Sequence, residues 1–285
     1  MAKAKSGYEP ENFSWLLPLV GAVGILIGVS AGYVKWGWPM NWYADRDADG
    51  LPQGPENDLI REGWKIVVDT PRHIGRNAAD PARRYAGNNL ACTNCHLSAG
   101  LVPYAAPLVS TFGSFPMMAD DRVLTLSERI NGCMTRSMNG KALPEESREM
   151  NALIAYIKWL GEKSPEGVRV AGMGLKPLHP AKEKPDSALG SAVYAKWCAA
   201  CHGADGQGQA KLSEPGYTIP PLWGDASFNS SAGMSKLTTA AAFIRANMPY
   251  NVTVREAALT EQEAWDVAAF MVSQPRPKGP KGPER

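Results

Sequence analysis

Two short runs, CTNCH (Cys92, Cys95, His96) and CAACH (Cys198, Cys201, His202), take up four of the chain's five cysteines. In each run the thiol pair can be joined as thioethers to one edge of a porphyrin, and the histidine that follows can swing under the iron as proximal ligand. A single Cys-x-x-Cys would equally suit zinc or a redox dithiol. The completed pattern, occurring twice, predicts two covalently attached c-type haems, held by Cys92, Cys95, Cys198 and Cys201 with His96 and His202 on iron.

The remaining thiol, Cys133, sits in INGCMTRSMNG. In an exported chain a lone cysteine is open to oxidation and mispairing, so an inert buried thiol would carry a cost that methionine avoids. As a thiolate ligand it would push electron density onto iron and lower that haem's potential. On spacing alone Met117, Met118, Met134 and Met138 compete for the same distal position. For the second haem, RANMPYN presents Met248 after a helical stretch, with Pro249 fixing the chain beside it; Met234 is the rival, and ordinary core packing the alternative role.

Each haem run has the same surroundings, an internal repeat in kind. Before the first, Ile60, Trp64, Val67 and Val68 share a helical face in NDLIREGWKIVVDTP; before the second, Leu189, Val193 and Trp197 are spaced likewise. After the first, Met150, Leu153, Ile154, Ile157 and Leu160 form one stripe ending at Gly161. After the second, Thr260 with Glu263 reads as a capping box, followed by Trp265, Ala268, Ala269 and Val272, and the helix stops before Pro275. Strand alternation is nowhere convincing. The expected fold is all-α: two cytochrome c-like haem domains in tandem, preceded by one N-terminal transmembrane helix.

That helix is the run from Phe13 to Val34, which has no charged residue and suffices to cross a hydrocarbon layer of roughly 30 Å. Lys3 and Lys5 before it hold the N-terminus on the cytoplasmic side, which delivers the haem domains to the periplasm from a single-pass anchor in the bacterial inner membrane. A cleaved signal peptide, ending near VSAG, is the competing reading; the interfacial aromatics of KWGWPMNWY favour the anchor. Gly24, Gly28 and Gly32 leave one face flat, which membrane helices commonly tolerate without a partner. The boundaries are then anchor 1–35, juxtamembrane segment 36–56, first haem domain 57–161, a Pro- and Lys-rich linker 162–186 without chemistry, second haem domain 187–274 and a disordered tail 275–285. A net charge of +2 and no basic run interleaved with aromatics argue against nucleic acid as a partner.

GNNLACTNCHLSAG, RINGCMTRSMNGKALP, EMNALIAYIKWL, CAACHGADGQGQ and ANMPYN, in that order, resemble the dihaem c-type thiosulfate dehydrogenases that form tetrathionate, across the chain from about Asn57 to about Pro275. The second haem run is common to many cytochromes c; the segment around Cys133 is the specific one. The resemblance implies that Cys133 is the distal ligand opposite His96 on an active-site haem, and that the residues around it form the substrate pocket. Joining two thiosulfates requires holding two dianions together, so fixed positive charge and hydrogen-bond donors are needed. Arg129 and Arg136 offer planar forks to the oxygens and Ser137 a hydroxyl, with Arg122 and Lys141 as outer candidates.

Of the two arginines, Arg136 lies in the more specific segment and is the stronger candidate; either could instead pair with a haem propionate, and Ser137 could merely cap a turn. Electrons would pass to the His202/Met248 haem and on to a c-type cytochrome or a membrane terminal oxidase; a homodimer is compatible with the sequence. Some family members carry a lysine before the methionine of ANMPYN, but here that position is Asn247, so constant His202/Met248 ligation is expected. His73 and His179 match no haem motif and read as surface residues. The competing functions are a tethered dihaem carrier without its own substrate, tetrathionate reduction in the reverse direction, and a cytochrome subunit acting on sulfur bound to a carrier protein.

Overall fold

The computed structural model describes residues 46–119, 121–252 and 256–280. The expected membrane span, Phe13–Val34, lies outside the described residues. Among those described, no helix is long and apolar enough to cross a membrane.

The first haem domain is built on three main helices: α1 (Pro55–Val68), α2 (Leu126–Arg136) and α3 (Arg148–Gly161). The second repeats the plan with α4 (Ser187–Trp197), α5 (Leu237–Asn247) and α6 (Glu261–Ser273). In both, the helix that leads into the haem run packs against the helix that closes the domain, α1 on α3 and α4 on α6. The crossing needs a glycine each time. A Cβ on Gly63 would lie 2.0 Å from the Ala152 carbonyl oxygen, and one on Gly190 would lie 1.9 Å from that of Asp266. At such separations backbone meets backbone, and no side chain can be inserted without parting the helices.

These crossings set the buried faces. α1 buries Ile60, Gly63, Ile66 and Val67, with Trp64 and Val68 packed at its margin. α4 turns Gly190 and Tyr194 inward, while Leu189, expected on that face, is 61% exposed. Val193 and Trp197 do pack against the core, partly buried, so the periodicity of Leu189, Val193 and Trp197 fails only at Leu189, because the contact there is centred on a glycine. α3 buries Met150, Leu153, Ile157 and Leu160 as expected, and adds Tyr156, whose hydroxyl donates to the Ala99 carbonyl at 2.9 Å. The capping box of α6 is present: Glu263 N–H donates to Thr260 Oγ1 at 3.1 Å and Thr260 N–H to Glu263 Oε2 at 2.8 Å.

The fold is helix-rich but not strictly all-α. Two short antiparallel ribbons occur, β1 (Met117–Ala119) with β2 (Arg122–Leu124), and β3 (Gln209–Ala210) with β4 (Tyr217–Ile219). Strands of two or three residues carry no readable alternation.

Two segments expected to be passive are held in place. The linker returns to the first domain, where Gly172 O accepts from Tyr104 N–H at 2.6 Å and Gly174 O from Ala106 N–H at 3.0 Å. The described part of the tail, 275–280, lies along the loop after Trp223: Gly224 N–H donates to Pro275 O at 2.8 Å and Ser230 N–H to Pro277 O at 2.9 Å. In both segments the backbone pairing is irregular, so neither prolines nor glycines in the sequence announced it.

Candidate active site

Both haem runs fold into the same tight turn. His96 N–H donates to Cys92 O and His202 N–H to Cys198 O, each at 2.9 Å, which brings the histidine back beside its cysteines. Each imidazole is then oriented through Nδ1, which meets the Ala106 carbonyl at 2.5 Å for His96 and the Pro220 carbonyl at 3.0 Å for His202. With Nδ1–H donated to a carbonyl, Nε2 is left as the lone-pair nitrogen, the tautomer a metal-bound histidine needs. Burial holds the His202 pKa below its ordinary value, although the bond to Pro220 pulls the other way.

Around His96 lies a cavity of about 650 Å³. Cys92 and Cys95 form one part of its wall, and Cys133, Arg129 and Ser137 another. The three thiols differ. Burial raises Cys92 to about 11 and Cys95 to about 12. Burial would raise Cys133 too, but the neighbouring His96 imidazole and the charges of Arg129 and Arg136 bring it down to about 7. Cys133 is thus the cavity cysteine most easily made a thiolate.

α2 is what places these groups. Its capping box, Thr125 with Glu128, starts the helix, and residues four apart share a face, so Arg129, Cys133 and Ser137 point the same way. Arg129 Nη1 reaches Cys133 Sγ at 3.5 Å. Arg136, the stronger candidate on sequence, lies off that face. Its Nε donates to Gly132 O at 2.8 Å, it does not line the cavity, and it acts on Cys133 only through its charge. The outer candidates are engaged elsewhere, Arg122 with Glu128 at 2.7 Å and Lys141 over the Tyr85 ring at 5.1 Å.

Met134 and Met138 are buried and line the cavity, as does half-exposed Met117; Met118 is 67% exposed and does not. Met248 follows the last turn of α5 and packs half-buried on the core, whereas Met234, its rival for the second haem, lines the first cavity. Asn247 is buried and donates through Nδ2 to Tyr104 O at 3.1 Å and Phe243 O at 3.0 Å. His73 has its pKa lowered by burial, and His179 pairs with Glu261 at 3.0 Å; neither lines the cavity.

Several wall residues were not foreseen, and three of them bear on the chemistry or come from the other domain. Arg169 comes from the linker, which therefore does contribute to the site, and Phe228 and Met234 come from the second domain. Arg169 stands in VRVAGMG among small and apolar residues, where nothing in the pattern marks it as facing a site.

The residues present fit a c-type haem at both positions. The first cavity opens directly onto Cys92, Cys95 and His96. In the second domain the buried Trp197 Nε1, beside Cys198, and Arg245 Nε, on α5, have no protein acceptor; both are donors of the kind that a haem propionate satisfies.

Residues 82–165 match the SoxA/TsdA cytochrome c domain family and residues 187–275 the cytochrome c family. The chain is 40% identical over 233 residues to the thiosulfate dehydrogenase of Thiomonas intermedia (strain K12), covering 81% of this chain and 70% of that protein. The chain belongs to the thiosulfate dehydrogenase family. Its two cytochrome c domains carry two c-type haems. Family members from Stutzerimonas stutzeri (strain A1501) and Allochromatium vinosum are each 39% identical, with 72% and 82% of their lengths covered. A solved structure of the family, the thiosulfate dehydrogenase (TsdBA) from Marichromatium purpuratum in its as-isolated form, is similar with a TM-score of 0.74 and 37% identity over 83% of this chain. The chain spans about half the length of that structure's chain, 50%.

Proposed function

We propose that the protein oxidises thiosulfate to tetrathionate at the cavity between His96 and Cys133. The observation that carries this reading is the placement of Cys133: within reach of His96 on one side, 3.5 Å from Arg129 Nη1 on another, and inside a cavity shared with Ser137. A plain electron carrier has no use for a guanidinium and a hydroxyl gathered at a low-pKa thiol. His96 and Cys133 are read as the two ligands of the first haem iron, and His202 and Met248 as those of the second.

When bound, the haems supply one-electron acceptors, so that two electrons leave the site for a c-type cytochrome or a terminal oxidase. The chain's own residues do the rest. Arg129 and Ser137 bind the sulfonate end of a thiosulfate and offset the repulsion between two dianions. Arg136 holds positive potential behind Cys133 without touching substrate. The Cys133 thiolate then joins the outer sulfur of the first thiosulfate, forming one S–S bond, Cys–S–S–SO3⁻, with the release of two electrons. The outer sulfur of the second thiosulfate attacks the outer sulfur of that adduct. The bond to Cys133 breaks, tetrathionate departs and the thiolate is regenerated; no proton is consumed.

The N-terminal run Phe13–Val34 is proposed as the membrane anchor that keeps this chemistry on the periplasmic face, supported by its freedom from charge and by Lys3 and Lys5 ahead of it. The test of the activity is thiosulfate-dependent reduction of an artificial acceptor by the haem-loaded protein, with tetrathionate quantified. Two thiosulfates lost per tetrathionate formed is the expected result. Redox-active haems with no thiosulfate consumed would leave only the carrier reading.

A further inference from the structure

The far end of the Cys133 helix is held by the other haem domain. An α-helix leaves its last four carbonyls without partners inside the helix. In α2 the chain's own turn serves two of them: Cys133 O accepts from Ser137 N–H at 2.8 Å and Met138 N–H at 3.0 Å, and Met134 O from Gly140 N–H at 2.9 Å. The other two, Thr135 O and Arg136 O, accept from Asn229 of the second domain, through Nδ2 at 3.0 Å and the backbone N–H at 3.2 Å.

Asn229 is itself 3% exposed and fixed from behind. Its Oδ1 accepts from Ser231 N–H at 3.0 Å. The residue before it, Phe228, reaches the first cavity wall and lies under the Arg276 guanidinium at 4.6 Å. Arg276 is anchored by donating to Met271 O at 2.7 Å and Leu222 O at 3.3 Å. On the other flank, Ser227 O receives Asn139 Nδ2 at 2.7 Å and Asn88 Nδ2 at 3.3 Å, and Asn88 also donates to Ser137 O at 2.9 Å. One loop of the second domain thus touches both the end of α2 and the turn after it.

We propose that Asn229 is a positioning residue for Cys133. By closing the open end of α2 from the second domain, and with Phe228 and Arg276 stiffening the loop behind it, Asn229 fixes the height of the last turn and so the reach of the Cys133 sulfur toward the position facing His96. The second domain is then part of the first haem's site as well as the exit for its electrons. This inference rests on the reading of Cys133 as an iron ligand.

The test compares Asn229→Ala and Asn229→Asp with wild type as full-length, haem-loaded protein. The readouts are the low-spin His/thiolate signature in electron paramagnetic resonance, the first haem's reduction potential and the split of kcat from KM. Both variants should keep both haems and the methionine-ligated spectrum of the second. Each should show a smaller thiolate-ligated fraction, a raised first potential and a kcat lower by about tenfold, with KM changed less than about twofold. Should Asn229→Ala fail to fold, Arg276→Ala, which loosens the loop from outside the cavity, should shift the same signature in the same direction more weakly. Wild-type thiolate intensity and potential in the variants, with only a lower Tm, would overturn the inference. A wild type without any thiolate signature would instead overturn the ligation reading on which it stands.

Discussion

The Arg129 guanidinium stands 3.5 Å from the Cys133 sulfur, one helical turn away on the same face of α2. The pair serves two ends. The fixed charge favours the thiolate, and the remaining guanidinium donors stay at the cavity wall where an anion's oxygens would come. Replacement by alanine removes both. Arg129→Ala should lower kcat/KM for thiosulfate by about a hundredfold, equivalent to about 2.7 kcal/mol of transition-state stabilisation, with both haems still attached. Steady-state kinetics on the haem-loaded variant decides it; a loss below a factor of about three would remove Arg129 from the substrate site.

Arg136→Ala should cost less. That side chain is folded back on Gly132 O and contributes only charge at a distance, so kcat/KM should fall by about tenfold or less, about 1.4 kcal/mol. The effect should shrink as salt is added, because a charge without contact is screened more readily than one in contact. Kinetics at low and high ionic strength separate the two arginines.

The Arg129 and Arg136 contrast shows how far the sequence could be read. The haem runs, the capping box of α6 and the stripe of α3 were legible because each is local, needing only neighbours three or four residues apart; the equally local box of Thr125 with Glu128 was missed. Cys133 was singled out through its compartment chemistry, and it lines the cavity. Which arginine faces the cavity was a matter of helical phase, and its proximity in a specific segment favoured the wrong one. Phe228, Asn229 and Arg169 were beyond reach. They arrive from the second domain and the linker, and such contacts over long sequence separations leave no periodic signal.

Cys133→Met should leave both haems attached and raise the potential of the first, since a thioether pushes less electron density onto iron than a thiolate. It also deletes the nucleophile of the proposed reaction, so turnover should fall by more than about a hundredfold. Redox titration together with the tetrathionate assay checks both halves. A variant with the raised potential but undiminished turnover would show that sulfur transfer does not pass through Cys133.

Gly190→Ala tests the helix crossing of the second domain. The added methyl would sit 1.9 Å from the Asp266 carbonyl oxygen, and only a shift of α4 from α6 can relieve that. A destabilisation of about 1–3 kcal/mol is expected from overpacking, read as a drop of about 2–4 °C in Tm per kcal/mol. Gly63→Ala should behave alike in the first domain, where the obstacle is Ala152 O at 2.0 Å. Calorimetry of the haem-loaded protein would show whether the two crossings are equally intolerant.

Glu263 gives a pH signature for α6. Hydrogen bonds from Thr260, its backbone N–H first, hold the carboxyl pKa below its ordinary value, while slight burial opposes them. A folded-state pKa below the unfolded one means that the carboxylate stabilises the fold above the unfolded value, about 4.3, and that this contribution is lost as pH falls through the lowered folded value. Glu263→Gln keeps an oxygen for Thr260 but removes the charge at the helix N-terminus. Its Tm should therefore lie below that of wild type at pH 7, and the gap should close progressively below pH of about 4.3. A gap that stays constant into acid would mean that shape alone, and not charge, holds this cap.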